Sequence, residues 1–213
     1  MPSSSPPRKS STKTSSRTTR VRRNEVVCVF GRKGSGKSYR IHRLIEQIPT
    51  SRRVMIWDPV SEYAGRAAED PILHAQLFGD VHQMLQEAAK GGLAQRVVMQ
   101  APRGQFDVFC TFCYRAGNMV VVVDEVNLFC KPGQCPAPLL ELLRIGRHAS
   151  VDLIFAARRP AEVARDLTAQ ADRIEAYKTI EPNDLKWFSD VCGKSFAESL
   201  PNLPEFQSST FTG

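Results

Sequence analysis

The stretch VVCVFGRKGSGKSYR, Val26 to Arg40, decides the fold. Its first five residues are apolar and β-branched or aromatic for the most part, which predicts a strand, and the run from Lys37 to Gln47 predicts a helix. Between them GRKGSGKS, Gly31 to Ser38, satisfies G-x-x-x-x-G-K-[ST] in the strand, loop, helix setting that gives the pattern its meaning. Gly31, Gly34 and Gly36 let the backbone take positive φ and come close to a ligand. Successive amides, from Arg32, Lys33 and Ser35 through to Tyr39, can then point at phosphate oxygens. The helix dipole adds to this anion site, Lys37 is placed to reach β- and γ-phosphates, and the Ser38 hydroxyl is placed to coordinate Mg²⁺. A nucleotide site over Gly31 to Tyr39 is the first expectation, with ATP and Mg²⁺ as its ligands.

A loop of this kind needs an acid to hold the hydrated metal, and VVVVDE, Val120 to Glu125, supplies one. Four valines make a buried central strand, so Asp124 emerges at the carboxyl end, where open α/β sheets bind ligands. Asp124 is the candidate metal ligand of the Walker B type. Glu125, directly after it, is placed to orient or deprotonate an attacking water, which favours hydrolysis over simple phosphoryl transfer. An N-K-x-D segment of the guanine-binding kind is absent, which disfavours a GTPase. A small-metabolite kinase would give no reason for the acidic pair.

The rest of the chain alternates. Strands are predicted at Val26–Phe30, Arg53–Trp57, Arg96–Gln100, Met119–Val123 and Val151–Ala156, with a further one over Arg173–Lys178. Helices are predicted at Lys37–Gln47, Ala75–Ala89, Asp107–Ala116, Ala137–His148, Ala161–Gln170 and Glu181–Val191, and an irregular tail at Leu200–Gly213. Continuous apolar strands imply burial on both faces, hence an α/β fold with a mainly parallel sheet flanked by helices.

Charge is unevenly placed. Residues 1–23 hold Arg8, Lys9, Lys13, Arg17, Arg20, Arg22 and Arg23 and no acid; removing those seven from the 29 basic residues leaves 22, matched by 22 acidic ones. The net charge of +7 therefore sits in a Ser/Thr/Pro-rich arm that cannot bury enough surface to order itself, followed by one ATPase-like domain over 24–213. Such an arm suits a polyanion, with nucleic acid bound through counterion release as the expected partner and a passive solubilising terminus as the alternative. Apolar runs such as Met119–Val123 stay far short of the twenty or so residues that span a bilayer, and no secretory signal pattern stands at the start, so the cytosol is the expected compartment. Cys110, Cys113, Cys130 and Cys135 have formally zinc-like spacing, but the acidic pair lies between the two halves, and reduced thiols are the preferred reading.

Three further segments join the phosphate loop and the acidic pair: IWDPVSEY, Ile56–Tyr63; LLRIGRHASVDLIFAARRP, Leu142–Pro160; and EPNDLKWF, Glu181–Phe188. Together, over about residues 25–205, they resemble the HerA and FtsK superfamily of P-loop ATPases, and within it the genome-packaging ATPases of tailless icosahedral viruses with an internal membrane. That resemblance implies a RecA-like additional-strand core. It also implies a ring, hexameric or similar, that drives double-stranded DNA through a central channel, acts in the host cytoplasm or at the virion vertex, and docks on capsid or membrane vertex proteins. In such a ring Arg147, or Arg144 one helical turn earlier, resembles the arginine that reaches into a neighbour's site. At the end of the Val151 strand relatives often carry a neutral polar residue, where this chain has Arg158, which by position can sense the γ-phosphate or turn instead to DNA or an acid. Asp58 and Glu62 match acidic positions of the family segment, yet Asp58 and Ser61 beside Pro59 read more simply as turn residues, and Trp57 as core. A phage-assembly ATPase of the zonula-occludens-toxin type, and a nucleotide-gated DNA-binding scaffold with little turnover, are the alternatives.

Overall fold

The computed structural model describes residues 24–64 and 74–213. The basic arm expected over 1–23 lies outside the described residues. Val26–Phe30 (β1) runs into Lys37–Glu46 (α1), and Arg53–Trp57 (β2), Gln76–Phe78 (β3), Val81–Ala89 (α2) and Arg96–Met99 (β4) follow. Phe106–Ala116 (α3), Met119–Val123 (β5), Ala137–Ile145 (α4) and Val151–Ala157 (β6) come next. Arg165–Thr168 (α5), Arg173–Tyr177 (β7), Pro182–Cys192 (α6), Lys194–Ser199 (α7) and Ser208–Thr212 (β8) complete the chain. The eight strands form one sheet in the order β3-β4-β2-β5-β6-β1-β7-β8, and every pairing is parallel except β7 with β8. This is the mainly parallel α/β architecture the sequence predicts.

The central strands β1, β5 and β6 are buried at every position, which is why they read as unbroken apolar runs. Alternate residues feed two cores. One, through Cys28, Trp57, Val121, Val123 and Phe155, packs against α2, α3, α4 and α6; the other, through Val29, Ile56, Val122 and Ile154, meets Ile41, Leu44 and Ile45 of α1. Among the described residues the sheet is thus covered heavily on one face and by a single long helix on the other. Trp57 is fully buried against Phe106, Phe109 and Phe129, in the core as expected.

Several expected boundaries move. The helix predicted over Ala75–Ala89 is a short edge strand and then α2, split where Asp80 caps the helix by accepting from the Gln83 amide (3.0 Å). The helix predicted to His148 stops at Ile145, because Gly146–Ala149 tightens into a 3₁₀ turn and Ser150 is left-handed. Only Arg165–Thr168 of the helix predicted over Ala161–Gln170 forms, the preceding Val163 and Ala164 being extended with the Ala164 amide bonded to the Cys130 carbonyl. The tail expected to be irregular folds back as β8, the antiparallel edge of the sheet.

The cysteines need a correction too. Cys130 and Cys135 form a disulfide, so the preferred reading of reduced thiols fails for this pair, while Cys28, Cys110, Cys113 and Cys192 are free and buried. The zinc-like spacing carries no site: Cys110 and Cys113 lie in the core on α3, where burial pushes both thiols up, and among the described residues no cluster of three or more His, Cys, Asp or Glu side chains is arranged to hold a metal.

Candidate active site

The parallel strands β1, β5 and β6 end together, so the loops leaving them converge at the carboxyl edge of the sheet. There a cleft of about 570 Å³ is lined by Lys33, Gly34, Gly36, Lys37, Ser38, Tyr39, Val60, Glu62, Asp124, Glu125, Arg158 and Phe206. Two motifs some ninety residues apart in sequence are brought to one site.

The phosphate loop is shaped by crowding as much as by dihedral freedom. Gly36, the residue before α1, has φ of 103°, a conformation that costs a side chain dearly. Gly31 does not need positive φ, as expected of it, but space: a Cβ there would come within 2.5 Å of Ser35 Oγ and 2.9 Å of Tyr177 Cβ. Tyr177 at the end of β7 supports the loop from beneath, its hydroxyl donating to the Gly36 carbonyl at 3.1 Å. The ammonium of Lys37 is buried and donates to the carbonyls of Gly31 (2.6 Å) and Arg32 (3.3 Å), so it lies across the mouth of its own loop. Desolvation pulls its pKa below the ordinary lysine value, with Glu125 and Asp124 pulling the other way.

Asp124 is 5% exposed, and burial raises its carboxyl to about 6. The nearby charges of Glu125 and Asp58 push the same way, while the Glu125 amide, donating at 3.0 Å, and Lys37 oppose them. A carboxylate that burial and two like charges disfavour is one that a divalent cation would relieve. The residues present fit Mg²⁺: Ser38 in the first turn of α1 and Asp124 border the same cleft, and phosphate oxygens would complete the shell.

Glu125 has left-handed backbone, φ 46° and ψ 49°, which for a residue with a side chain costs about 1–3 kcal/mol and recurs at functional sites. Its side chain, only 10% exposed, accepts from Arg158 Nε at 3.0 Å, across from the end of β6. Arg158 is half exposed, and the same contact raises its pKa. The next residue, Arg159, turns to the start of α6 and pairs with Asp184 (3.1 Å) and Glu181 (3.1 Å).

Not every predicted residue faces this cleft. Gly31 and Arg32 border a larger cavity of about 720 Å³ that shares Lys33 and Arg158 with the cleft, and Ser35 a smaller one of about 330 Å³. Arg147 and Arg144 are exposed beside the amino end of β6, at the opposite edge of the sheet, where Arg144 pairs with Asp166 at 3.5 Å. They stand away from the cleft of this chain. Asp58 is fully buried and accepts from the amides of Glu62 (2.9 Å), Tyr63 (2.9 Å) and Ala64 (2.8 Å), the turn-stabilising role expected of it, although Ser61 accepts instead from the Gln100 side chain. Sequence reasoning missed Val60, Tyr177 and Phe206; strand order could have suggested Tyr177, whereas Phe206 depends on β8.

Fold and site together define a P-loop NTPase with a Walker A loop, a Walker B aspartate and an adjacent glutamate. No protein-family model and no curated protein matches the chain. Solved structures do. The genome-packaging NTPase B204 of Sulfolobus turreted icosahedral virus 2, in complex with AMPPCP, is 26% identical, with 88% of this chain and 92% of that one covered at a TM-score of 0.73. The DNA-packaging ATPase B204 of Sulfolobus turreted icosahedral virus is 25% identical over 88% and 92%, at 0.68. The N-terminal domain of the zonular occludens toxin of Neisseria meningitidis shares the fold at 14% identity, 90% and 95% coverage and 0.51. The chain is similar to packaging ATPases of the HerA/FtsK type, as its motifs imply.

Proposed function

We propose that this protein is an ATP-hydrolysing motor that moves double-stranded DNA, packaging a viral genome into a preformed capsid. The observation that carries the reading is Glu125 standing behind Asp124 in the same cleft as Lys37 and Ser38. Lys37 and the loop amides bind and orient the phosphates, and Ser38 and Asp124 hold the cation, which supplies charge neutralisation on the transferring phosphoryl group. Glu125 takes a proton from, or aligns, the water. Likeness to two viral packaging ATPases supports the genome as cargo.

The position of Arg147 and Arg144, at the far edge of the sheet, suits a ring in which one subunit's arginine completes its neighbour's site. The seven positive charges of residues 1–23 suit the DNA backbone. Among the described residues no helix is long and apolar enough to cross a membrane. Capsid or membrane proteins of the virion vertex are the partners on which the motor would dock.

The test is hydrolysis of MgATP by the full chain with and without duplex DNA. Turnover that rises several-fold with duplex and falls back as salt is raised supports the motor. Binding of ATP and DNA with no turnover under any condition would leave a nucleotide-gated scaffold instead.

A further inference from the structure

We propose that Phe206 is the platform on which the base of the bound nucleotide stacks. The inference rests on the nucleotide site argued above and extends it to the nucleoside, which none of the motifs addresses. The proposed chemistry occurs at Asp124, Glu125 and Arg158, so the nucleoside must leave the cleft away from them. Phe206 borders the cleft and, with Lys33 and Gly34, a second pocket that contains none of those three.

Phe206 also borders the adjoining cleft of about 330 Å³, with Gly34, Ser35, Tyr177, Pro204 and Glu205. Lys33, Gly34 and Phe206 are shared by the two, so one ring forms the wall between the phosphate site and a pocket beside it. The approach is close: a Cβ on Gly36 would lie 3.6 Å from the edge of the Phe206 ring.

Two costs single the residue out. Its side chain is 70% exposed, and its backbone is left-handed at φ 62°, a genuine outlier for a bulky residue. The exposure is not repaid by packing; β8 pairs with β7 in a register that sets Ser208 opposite Tyr177, and Phe206, two residues earlier, lies beside the phosphate loop. A flat apolar ring beside a phosphate site and largely exposed matches what a nucleobase offers. Tyr39, 69% exposed on α1, also borders the phosphate cleft but not the second pocket.

Calorimetry on the full chain with MgADP and with magnesium pyrophosphate separates the base from the phosphates. Phe206→Ala should weaken MgADP about ten-fold or more and leave pyrophosphate unchanged, while Phe206→Trp should keep the wild-type affinity for both. Equal affinities of the alanine variant and the wild type for MgADP, or a parallel loss for both ligands, would overturn the platform while leaving the phosphate site standing. A wild-type protein that bound neither ligand would overturn both readings.

Discussion

The two edges of the sheet hold the same ingredients and use them differently. At the amino edge Arg52, just before β2, pairs with Asp152 near the start of β6; the guanidinium also donates to the carbonyls of Met119 (3.0 Å) and Ser150 (2.7 Å), and the carboxylate also accepts from the Glu25 amide (3.0 Å). At the carboxyl edge Arg158 meets Glu125 through one contact at 3.0 Å, with half of its side chain in solvent. Asp124 beside it is buried, and its carboxyl stays raised to about 6 although Lys37 and the Glu125 amide oppose the shift. An arginine and a carboxylate at a strand end therefore hold the sheet together where every partner is supplied within the chain, and border the proposed ligand site where the pair is half exposed.

The largest effect should come from the completed edge. Arg52→Ala leaves Asp152 buried against its remaining partners and should cost about 3–5 kcal/mol, read as a fall in the urea midpoint, with MgADP affinity of the folded protein unchanged. Loss of nucleotide binding without loss of stability would dissolve the contrast between the edges. Next comes Glu125→Gln, which keeps the shape and removes the base. Turnover should fall about 100-fold or more while MgADP binding and the urea midpoint stay close to wild type. Mixed with Arg147→Ala subunits, this variant should regain part of the lost activity, since some interfaces then carry both an intact glutamate and an intact arginine; no recovery would remove Arg147 from the site.

Most of the sheet was legible because its strands carry their burial in their composition: MVVVV and VVCVF can only be buried on both faces. The two edge strands were not. QLF is too short for a period, and SSTFT is polar and follows a stretch broken by Pro201 and Pro204, so its pairing with β7 is a tertiary decision. The site divides the same way. Gly31–Ser38 and Asp124–Glu125 were legible because local backbone chemistry fixes them, whereas the Arg158–Glu125 contact required knowing that β5 and β6 are neighbours. The place of Phe206 required β8. The left-handed backbone at Glu125 had no sequence signal, glycine being the residue such a conformation would suggest.

The smallest structural effect, and the sharpest comparison, belongs to Arg158. Its pair with Glu125 resembles that of Arg52 with Asp152 in chemistry, but half of the Arg158 side chain is exposed, so Coulomb attraction is screened and the pair should contribute no more than about 1 kcal/mol to stability. Arg158→Ala should hardly move the urea midpoint. It should nonetheless lower kcat about ten-fold with little change in KM for ATP, because the guanidinium fixes the Glu125 carboxylate and borders the cleft where charge develops on the γ-phosphate. Lysine at this position keeps the charge but not the planar fork, and should recover activity only in part. A midpoint that dropped as far as in Arg52→Ala would make the contact a second structural clamp. Turnover equal to wild type would leave Arg158 a surface residue that happens to touch the base.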